Sequence, residues 1–379
     1  MNHECSPMHE QPAEWLVTSL PKIRKVNSLL PKNLHSNNLR SFEHARLTTL
    51  EESWLDTTGI RPQETHCTII IPVHNEHRSL PSFLRALMAS QIPSSADLHF
   101  VFVVNGSNDD SAAIIYDRLS DFHSFGDIRY TVMETVIAGK ANALNIGNDI
   151  ALKNHHTIAM NIDANNWVEP DTIPLLFKRA HQEFSDNPGD VVLVDAKAIY
   201  AIKNNTQSPI DRFWFRVKGN NVHTPLLTGW MYAWNPEWIN EVGGFPSTVT
   251  EDSAIAIEAL ARGRRIVHSS ARIWGYISST LVDRQKEFTR YLLGAVQLLR
   301  HFGRTSLLQN AISPEYPLDK SMWETLQYFF DDSTRGKNIA HFPLSLIKWI
   351  RYEYSLLIAT LILRKKPDIQ TWAPIKSTK

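Results

Sequence analysis

Thr68-Ile-Ile-Ile-Pro-Val-His-Asn-Glu76 is the stretch that decides the fold. From Ile69 to Val73 the chain runs apolar without the alternation of a half-exposed strand, so both faces of this strand must be covered. Polar residues take over at His74-Asn-Glu76, as in a loop leaving a strand end. A helical stretch follows near 79–90, then a second continuous strand, His99-Phe-Val-Phe-Val-Val104. A helix near 111–120, a strand near 128–133, a helix near 140–152 and a strand near 157–162 continue the alternation. Short apolar strands separated by helices build βαβ units on a parallel sheet. Right-handed crossovers bring the strand ends to one edge, where ligands bind in such sheets.

Outward from this block the pattern is less regular. Val191-Val-Leu-Val194 reads as a strand, 209–219 as a Trp/Phe-rich helix, and 251–262 as a helix closed by Gly263. A long helical pattern covers 281–302, and 320–331 and 344–364 are helical too. Toward the N-terminus, Phe42, Ala45, Leu50 and Trp54 stand near helical spacing and predict an amphipathic helix. The expected organisation is a partly helical extension over 1–65, an α/β domain over 66–300 and a helical region over 301–379.

Composition narrows the class. The 379 residues are 43% hydrophobic and 21% charged, as in a globular protein. Lys+Arg and Asp+Glu both number 39, which argues against a nucleic-acid partner. Cys5 and Cys67 are the only cysteines, so a disulfide framework is excluded and a reducing, cytoplasmic setting is expected. Met1 to Pro12 lacks the apolar core of a secretory signal. The most apolar run, Ser355 to Leu363, is far short of the roughly 20 residues that span a bilayer.

Familiar nucleotide and metal motifs are missing. There is no G-x-G-x-x-G, no H-E-x-x-H and no paired C-x-x-C. Gly139-Lys140 fails as a P-loop because Glu134 stands where the upstream glycine is required. His74 and His77 flank a strand-end loop, which is not a metal signature. What the sequence does show is an ordered series of polar groups at strand ends and helix starts. Asn75-Glu76 follows the first strand and Asn105-Gly-Ser-Asn-Asp-Asp-Ser111 the second. Gly139-Lys-Ala-Asn-Ala-Leu-Asn145 opens a helix, and Asp163-Ala-Asn-Asn166 follows the strand near 157–162. Thr250-Glu-Asp252 starts a helix, and Arg290-Tyr291 lies within the long one. Each has an ordinary explanation alone: turn chemistry, acids complementing a helix dipole, a solvated lysine.

In its order, the series resembles glycosyltransferase family 2, inverting sugar transferases of the GT-A fold. The resemblance covers about residues 67–294 and also rests on Gly229-Trp-Met-Tyr-Ala233 and Gly243-Gly-Phe245. It is nearest to the branch holding cellulose, chitin and hyaluronan synthases, whose T-E-D motif precedes Q-x-x-R-W. Here Thr250-Glu-Asp252 is followed, 35 residues on, by Glu287-Phe-Thr-Arg-Tyr291. The fold implied is a GT-A-type, Rossmann-like, mostly parallel sheet flanked by helices, with a helical C-terminal part.

The resemblance also implies roles. Pro72, Asn75, Glu76, Asn105 and Ser107 would line the nucleoside pocket. Asp163 and Asn165 stand at the metal position for Mg²⁺ or Mn²⁺, with Asp163 also facing the donor. Lys140 and Arg290 would face the diphosphate of a UDP-linked sugar. Asp252 would be the general base, with Glu251 orienting groups beside it. Gly229, Trp230 and Tyr291 would meet a sugar, lipid or small-molecule acceptor. A leaving diphosphate needs such cationic stabilisation, and an acceptor hydroxyl needs a base as it attacks.

Several positions depart from the family pattern. Asn165 replaces a carboxylate, and Val104-Asn105 stands where an acid pair is usual. Glu287 and Tyr291 replace Gln and Trp, and the membrane spans of the exporting synthases are lacking. A non-processive enzyme is therefore expected. Two alternatives are a catalytically weakened, nucleotide-sugar-binding relative and a nucleotidyltransferase. The latter would want a Gly-rich basic loop where His74-Asn-Glu-His77 stands. Residues 333–379 hold nine basic and two acidic residues, a net of +7, interleaved with aromatics. That composition suits either a helix packed on the catalytic domain or peripheral contact of 342–366 with the inner face of a membrane.

Overall fold

A computed structural model of the chain describes residues 40–43, 65–93, 96–122, 129–201, 227–276, 280–302, 325 and 342–366. Nine strands form one sheet: β1 (Arg40–Glu43), β2 (Thr65–Val73), β3 (Ala96–Asn105), β4 (Arg129–Thr135), β5 (Ile158–Ile162), β6 (Trp167–Val168), β7 (Val191–Ala201), β8 (Met231–Trp234) and β9 (Arg265–Tyr276). Among the described residues eight helices accompany them: α1 (Leu80–Met88), α2 (Ser111–Phe122), α3 (Lys140–Lys153), α4 (Thr172–Asp186), α5 (Pro236–Glu241), α6 (Glu251–Ala261), α7 (Leu281–Phe302) and α8 (Phe342–Lys365).

The sheet order is β1-β4-β3-β2-β5-β8-β7-β9-β6. β4, β3, β2 and β5 run parallel, as the βαβ pattern predicts. Beyond them β8 pairs antiparallel with both β5 and β7, while β7 and β9 are parallel to each other. The fold is α/β with a mixed, mostly parallel sheet of the GT-A kind.

The apolar runs are continuous because each sheet face has its own core. Ile69, Ile71, Phe100 and Phe102 point to one face, against α1 and α4 residues such as Phe83 and Phe177. Ile70, Val101 and Val103 point to the other, toward α3 and α6 residues such as Leu144 and Ile255. Helix α3 crosses closely over β2: a Cβ on Gly147 would lie 2.3 Å from Cγ1 of Ile70. A third cluster joins α7 to α8 through Leu292, Leu293, Tyr352, Ala359 and Leu363.

One expectation is corrected. Phe42, placed on an amphipathic helix by its spacing, lies in strand β1, paired antiparallel with β4 at Val132. The free edge of β4 offers backbone partners, and tertiary pairing overrides a weak periodicity. Ala45, Leu50 and Trp54 fall outside the described residues, as do the expected helix near 209–219 and all but residue 325 of the one near 320–331. The strand read at 191–194 extends to Ala201. The two-residue β6 and the four-residue β8 carry too few residues to show a periodicity.

Candidate active site

The C-terminal edge of the parallel strands gathers the polar series. Its loops are pinned together by their own amides. Asn105, almost wholly buried, donates from Nδ2 to the carbonyls of Val73 (3.1 Å) and Val103 (3.2 Å), and its Oδ1 accepts from the Gly139 N–H at 3.0 Å. One side chain thus ties the ends of β2 and β3 to the start of α3. Asn75 adopts a left-handed backbone (φ 55°), a conformation asparagine tolerates better than most residues. Its Oδ1 accepts from the Asn108 N–H at 2.9 Å, and its own N–H donates to Ser107 Oγ at 3.1 Å. Glu76 is buried; its carboxylate accepts from Ser79 Oγ, and its N–H donates to Ser111 Oγ at 2.8 Å. Pro72 lies inside β2, level with Val103 of β3.

The charged centre lies beside these loops. Lys140, the first residue of α3, sends its ammonium to Asp163 Oδ1 at 2.7 Å and to Glu251 Oε1 at 3.4 Å. The same ammonium donates to the carbonyl of Gly229. That carbonyl also accepts from Asn161 Nδ2 at 3.2 Å. Gly229 has φ 74°, and a Cβ there would lie 2.3 Å from Asp252 Oδ2. Asp252 therefore rests directly on the bare Gly229 backbone, and only glycine allows that approach. Its other oxygen, Oδ1, accepts from the Ser253 N–H at 2.7 Å.

The charges gathered here perturb Glu251, Asp163 and Lys140. Burial pushes the Glu251 carboxyl up to about 7, with Asp252 and Asp163 adding to the rise against the pull of Lys140. Burial likewise raises Asp163, which Lys140 draws back and Asp252 pushes further up. Burial opposes the Lys140 charge, but Asp163 and Glu251 outweigh it and the ammonium holds its proton above the ordinary lysine range. Glu251 is buried beneath the cluster, whereas Asp252 is only partly covered.

Helix α7 closes the far side. A Cβ on Gly294 would lie 2.4 Å from Thr250 Oγ1, so α7 presses against the start of α6. Arg290, one turn earlier on the same face, lies within electrostatic reach of Asp163 and Asp252. Its guanidinium sits 5.2 Å from the centre of the Tyr291 ring, and Tyr291 Oη donates to Glu287 Oε1 at 3.3 Å. Trp230 meets Tyr200 edge-on at 5.1 Å, and Trp167 meets Tyr276 at 4.8 Å. The Trp230 ring, next in sequence to Gly229, also packs against Gly275 of β9.

Asp163 to Asn166 form a tight turn, closed by the Asn166 N–H donating to Asp163 O at 3.1 Å. It is anchored by the Asp163 N–H donating to Trp230 O at 3.0 Å. Asp163 and Asn165 offer one carboxylate and one amide oxygen from that turn. Such a donor set fits a hard cation such as Mg²⁺ or Mn²⁺, which binds through one or two carboxylates and takes its other ligands from water and substrate phosphate. His74 and His77 are engaged elsewhere, with Asn105 O (2.7 Å) and Asp109 Oδ2 (2.8 Å).

Sequence spacing missed some of the site. Asn161, fully buried in β5, braces the Gly229–Tyr232 segment through both ends of its amide. Asp195 in β7 accepts from the Thr228 N–H and Oγ1 (3.2 and 3.0 Å) and faces His268 Nδ1 at 3.4 Å. A lone acid within the apolar run Val191-Val-Leu-Val-Asp195 was the available signal. Asn161 gives none, because one amide in a strand has no period.

At the opposite edge, His66, Asp97 and His156 place ligand-type atoms within 4.8 Å of one another. Arg129 already occupies this cluster. Its Nη2 donates to Asp97 Oδ2 and to His156 Nε2, the latter at 3.2 Å.

Comparison with known proteins bears on the family and the fold. Residues 68–232 match the model described as Glycosyl transferase family 2, and residues 213–364 match Glycosyl transferase family group 2. An undecaprenyl-phosphate 4-deoxy-4-formamido-L-arabinose transferase of Pseudomonas fluorescens (strain SBW25) is 27% identical over 161 residues, 41% of this chain and 40% of that protein. The chain thus matches about two fifths of that relative's length. Among solved structures, the mannosyltransferase PcManGT from Pyrobaculum calidifontis in complex with GDP-Man and Mn²⁺ shares the fold. It is 18% identical with a TM-score of 0.53, over 85% of this chain and 96% of that one. S. aureus TarS 1–349 in complex with UDP is 14% identical with a TM-score of 0.43, over 83% of this chain and 95% of that one.

Proposed function

We propose that this chain, a glycosyltransferase of the family 2 type, moves one sugar from a UDP-linked donor to an acceptor hydroxyl in a single inverting displacement. The observation that carries it is the gathering of Asp163 and Glu251 on the Lys140 ammonium, with Lys140 and Asp252 both resting on the bare backbone of Gly229. Lys140 and Arg290 bring cationic charge to where a diphosphate departs, in a cleft whose burial strengthens their field. Asp163 and Asn165 would hold Mg²⁺ or Mn²⁺, which neutralises charge growing on the leaving diphosphate. Asp252, less buried than Glu251 and set against Gly229, takes the proton of the acceptor hydroxyl while the acceptor's oxygen attacks the anomeric carbon from the face opposite the leaving diphosphate. Glu251 stays beneath, paired with Lys140, and orients it.

Pro72, Asn75, Glu76, Asn105 and Ser107 shape the nucleoside side, with Asn105 and Asn75 acting by holding the loops in place. Gly229, Trp230 and Tyr291 face the acceptor, where aromatic rings stack on sugars. The similarity to an undecaprenyl-phosphate transferase supports a second reading, a lipid-phosphate acceptor, whose phosphate oxygen would attack already ionised and would need no base. The T-E-D and R-Y positions favour the synthase-like branch in a non-processive form.

Asp252→Asn tests the assignment. Transfer should fall by at least ~10²-fold, the usual worth of a positioned base, while UDP still raises the thermal midpoint. Product anomers read by NMR should be inverted relative to the donor. Full activity of the variant, or retained configuration, would overturn the mechanism.

A further inference from the structure

Helix α8 has two apolar faces, and among the described residues one of them is covered. Tyr352, Ser355, Ala359 and Leu363 are buried against α7. On the opposite side Ile350, Tyr354, Leu357 and Leu361 recur at intervals of four, three and four residues. They are 52%, 56%, 57% and 41% exposed. The stripe continues onto α7 at Val282, 66% exposed, across a groove where Leu281 and Lys286 meet Tyr354 and Ile358. Arg364, Lys365 and Lys366 are all exposed at its end, and Arg364 and Lys365 fall on the stripe's own side of the helix. Helix α8 carries five basic residues and one acid, Glu353, through Lys366.

We propose that this stripe docks on an anionic lipid bilayer, α8 lying in the interface plane with its C-terminal basic residues among the headgroups. Large side chains in a row on an exposed helix face mark a surface meant to be covered. Charge selects the occupant. Residues 333–379 carry a net +7, so two copies meeting here would bring like charges together, whereas an anionic leaflet attracts them. No described helix is long and apolar enough to cross a membrane, so the contact is peripheral. The arrangement also orients the enzyme. The helix that braces α8 is α7, which carries Arg290 and Tyr291 to the candidate active site, so docking sets that site at a fixed height above the lipid.

Sedimentation of the purified full chain with vesicles tests this. Phosphatidylglycerol-containing vesicles should bind it at low salt, phosphatidylcholine vesicles should not, and raised salt should weaken the binding. Leu357→Asp with Leu361→Asp should lower the bound fraction constant by at least about tenfold, since two leucines no longer enter the interface. Replacing Arg364, Lys365 and Lys366 by Gln should weaken low-salt binding by about tenfold or more. Circular dichroism and thermal midpoints confirm that each variant is folded. Failure to bind anionic vesicles, or binding unaffected by the aspartates, overturns the proposal. A dimer in light scattering that the aspartates convert to monomer would instead assign the stripe to a second copy. Vesicle binding needs neither donor nor acceptor, so its failure leaves the transfer reading untouched.

Discussion

Gly229 is where a single added atom would disturb the candidate site. Its carbonyl holds Lys140 and Asn161, its φ is 74°, and a Cβ would lie 2.3 Å from Asp252 Oδ2. Gly229→Ala must therefore push the Asp252 carboxylate aside and strain the backbone. A displacement of about 1 Å is enough to lower kcat/KM roughly 10²-fold, while strain costs about 1–3 kcal/mol of stability. Steady-state kinetics beside a urea midpoint separates the two effects; unchanged kcat/KM would show that Asp252 need not sit there. At this scale the sequence was legible where chemistry demands order. Lys140, Asp163, Glu251 and Asp252 were singled out by their order along the chain, and the structure brings them together. Asn161 and Asp195 were hidden because their work is to brace the backbone of Gly229 and Thr228, a contact that exists only after the strands pair. Asn105 was legible as a position but not as a brace, since its amide is spent on three backbone groups from separate segments.

Among elements, the strands behaved as their apolar runs required, and the strand starts carry a second polar cluster with its own consequence. His99 donates or accepts at Thr131 Oγ1 (2.8 Å) and His156 at Thr68 Oγ1 (2.7 Å), stitching β2, β3, β4 and the turn before β5. Burial, with Arg129 beside them, pushes His99 down to about 4 and His156 down to about 3. An unfolded histidine titrates near 6.5, so below that pH the unfolded chain takes up protons that the native one refuses. The stability these histidines contribute is complete above pH 6.5 and falls by about 1.4 kcal/mol per pH unit for each as the pH drops toward 4. Glu251, raised to about 7, works the other way, because the native state keeps its proton where the unfolded one has lost it. Comparing wild type with His156→Asn isolates the histidine term. Urea midpoints taken from neutral to acid pH should fall less steeply for the variant; parallel slopes would show that His156 charges in the native state. The helix expected around Phe42 marks the limit of periodicity at this scale. Four residues beside a free strand edge pair with it whatever their spacing.

At the scale of the whole molecule, zero net charge conceals a separation. Residues 333–379 carry +7, so residues 1–332 carry −7. The two parts meet where α8 packs on α7, and that contact reaches the chemistry. Arg351 on α8 donates from Nε to Gln285 Oε1 at 2.6 Å and from Nη2 to Arg284 O at 2.7 Å, and its guanidinium covers the Phe288 ring at 4.9 Å. Tyr352, only 1% exposed, shares a cluster with Leu292 and Leu293, the residues that follow Arg290 and Tyr291. Helix α8 thus fixes the roll of α7, and α7 fixes Arg290 over Thr250-Glu-Asp252 through Gly294. Tyr352→Ala leaves a ring-sized cavity in this cluster and should cost about 3 kcal/mol. It should also lower kcat, because α7 relaxes toward the void and carries Arg290 with it. Phe83→Leu, in the core on the far face of the sheet, destabilises without touching α7 and should leave kcat unchanged below its own unfolding temperature. A kcat for Tyr352→Ala equal to that of Phe83→Leu, with both proteins folded, would reduce α8 to a stabilising prop. A selective loss in Tyr352→Ala makes the same helix a support of the active site, and ties the charge asymmetry seen in the sequence to the placement of one arginine.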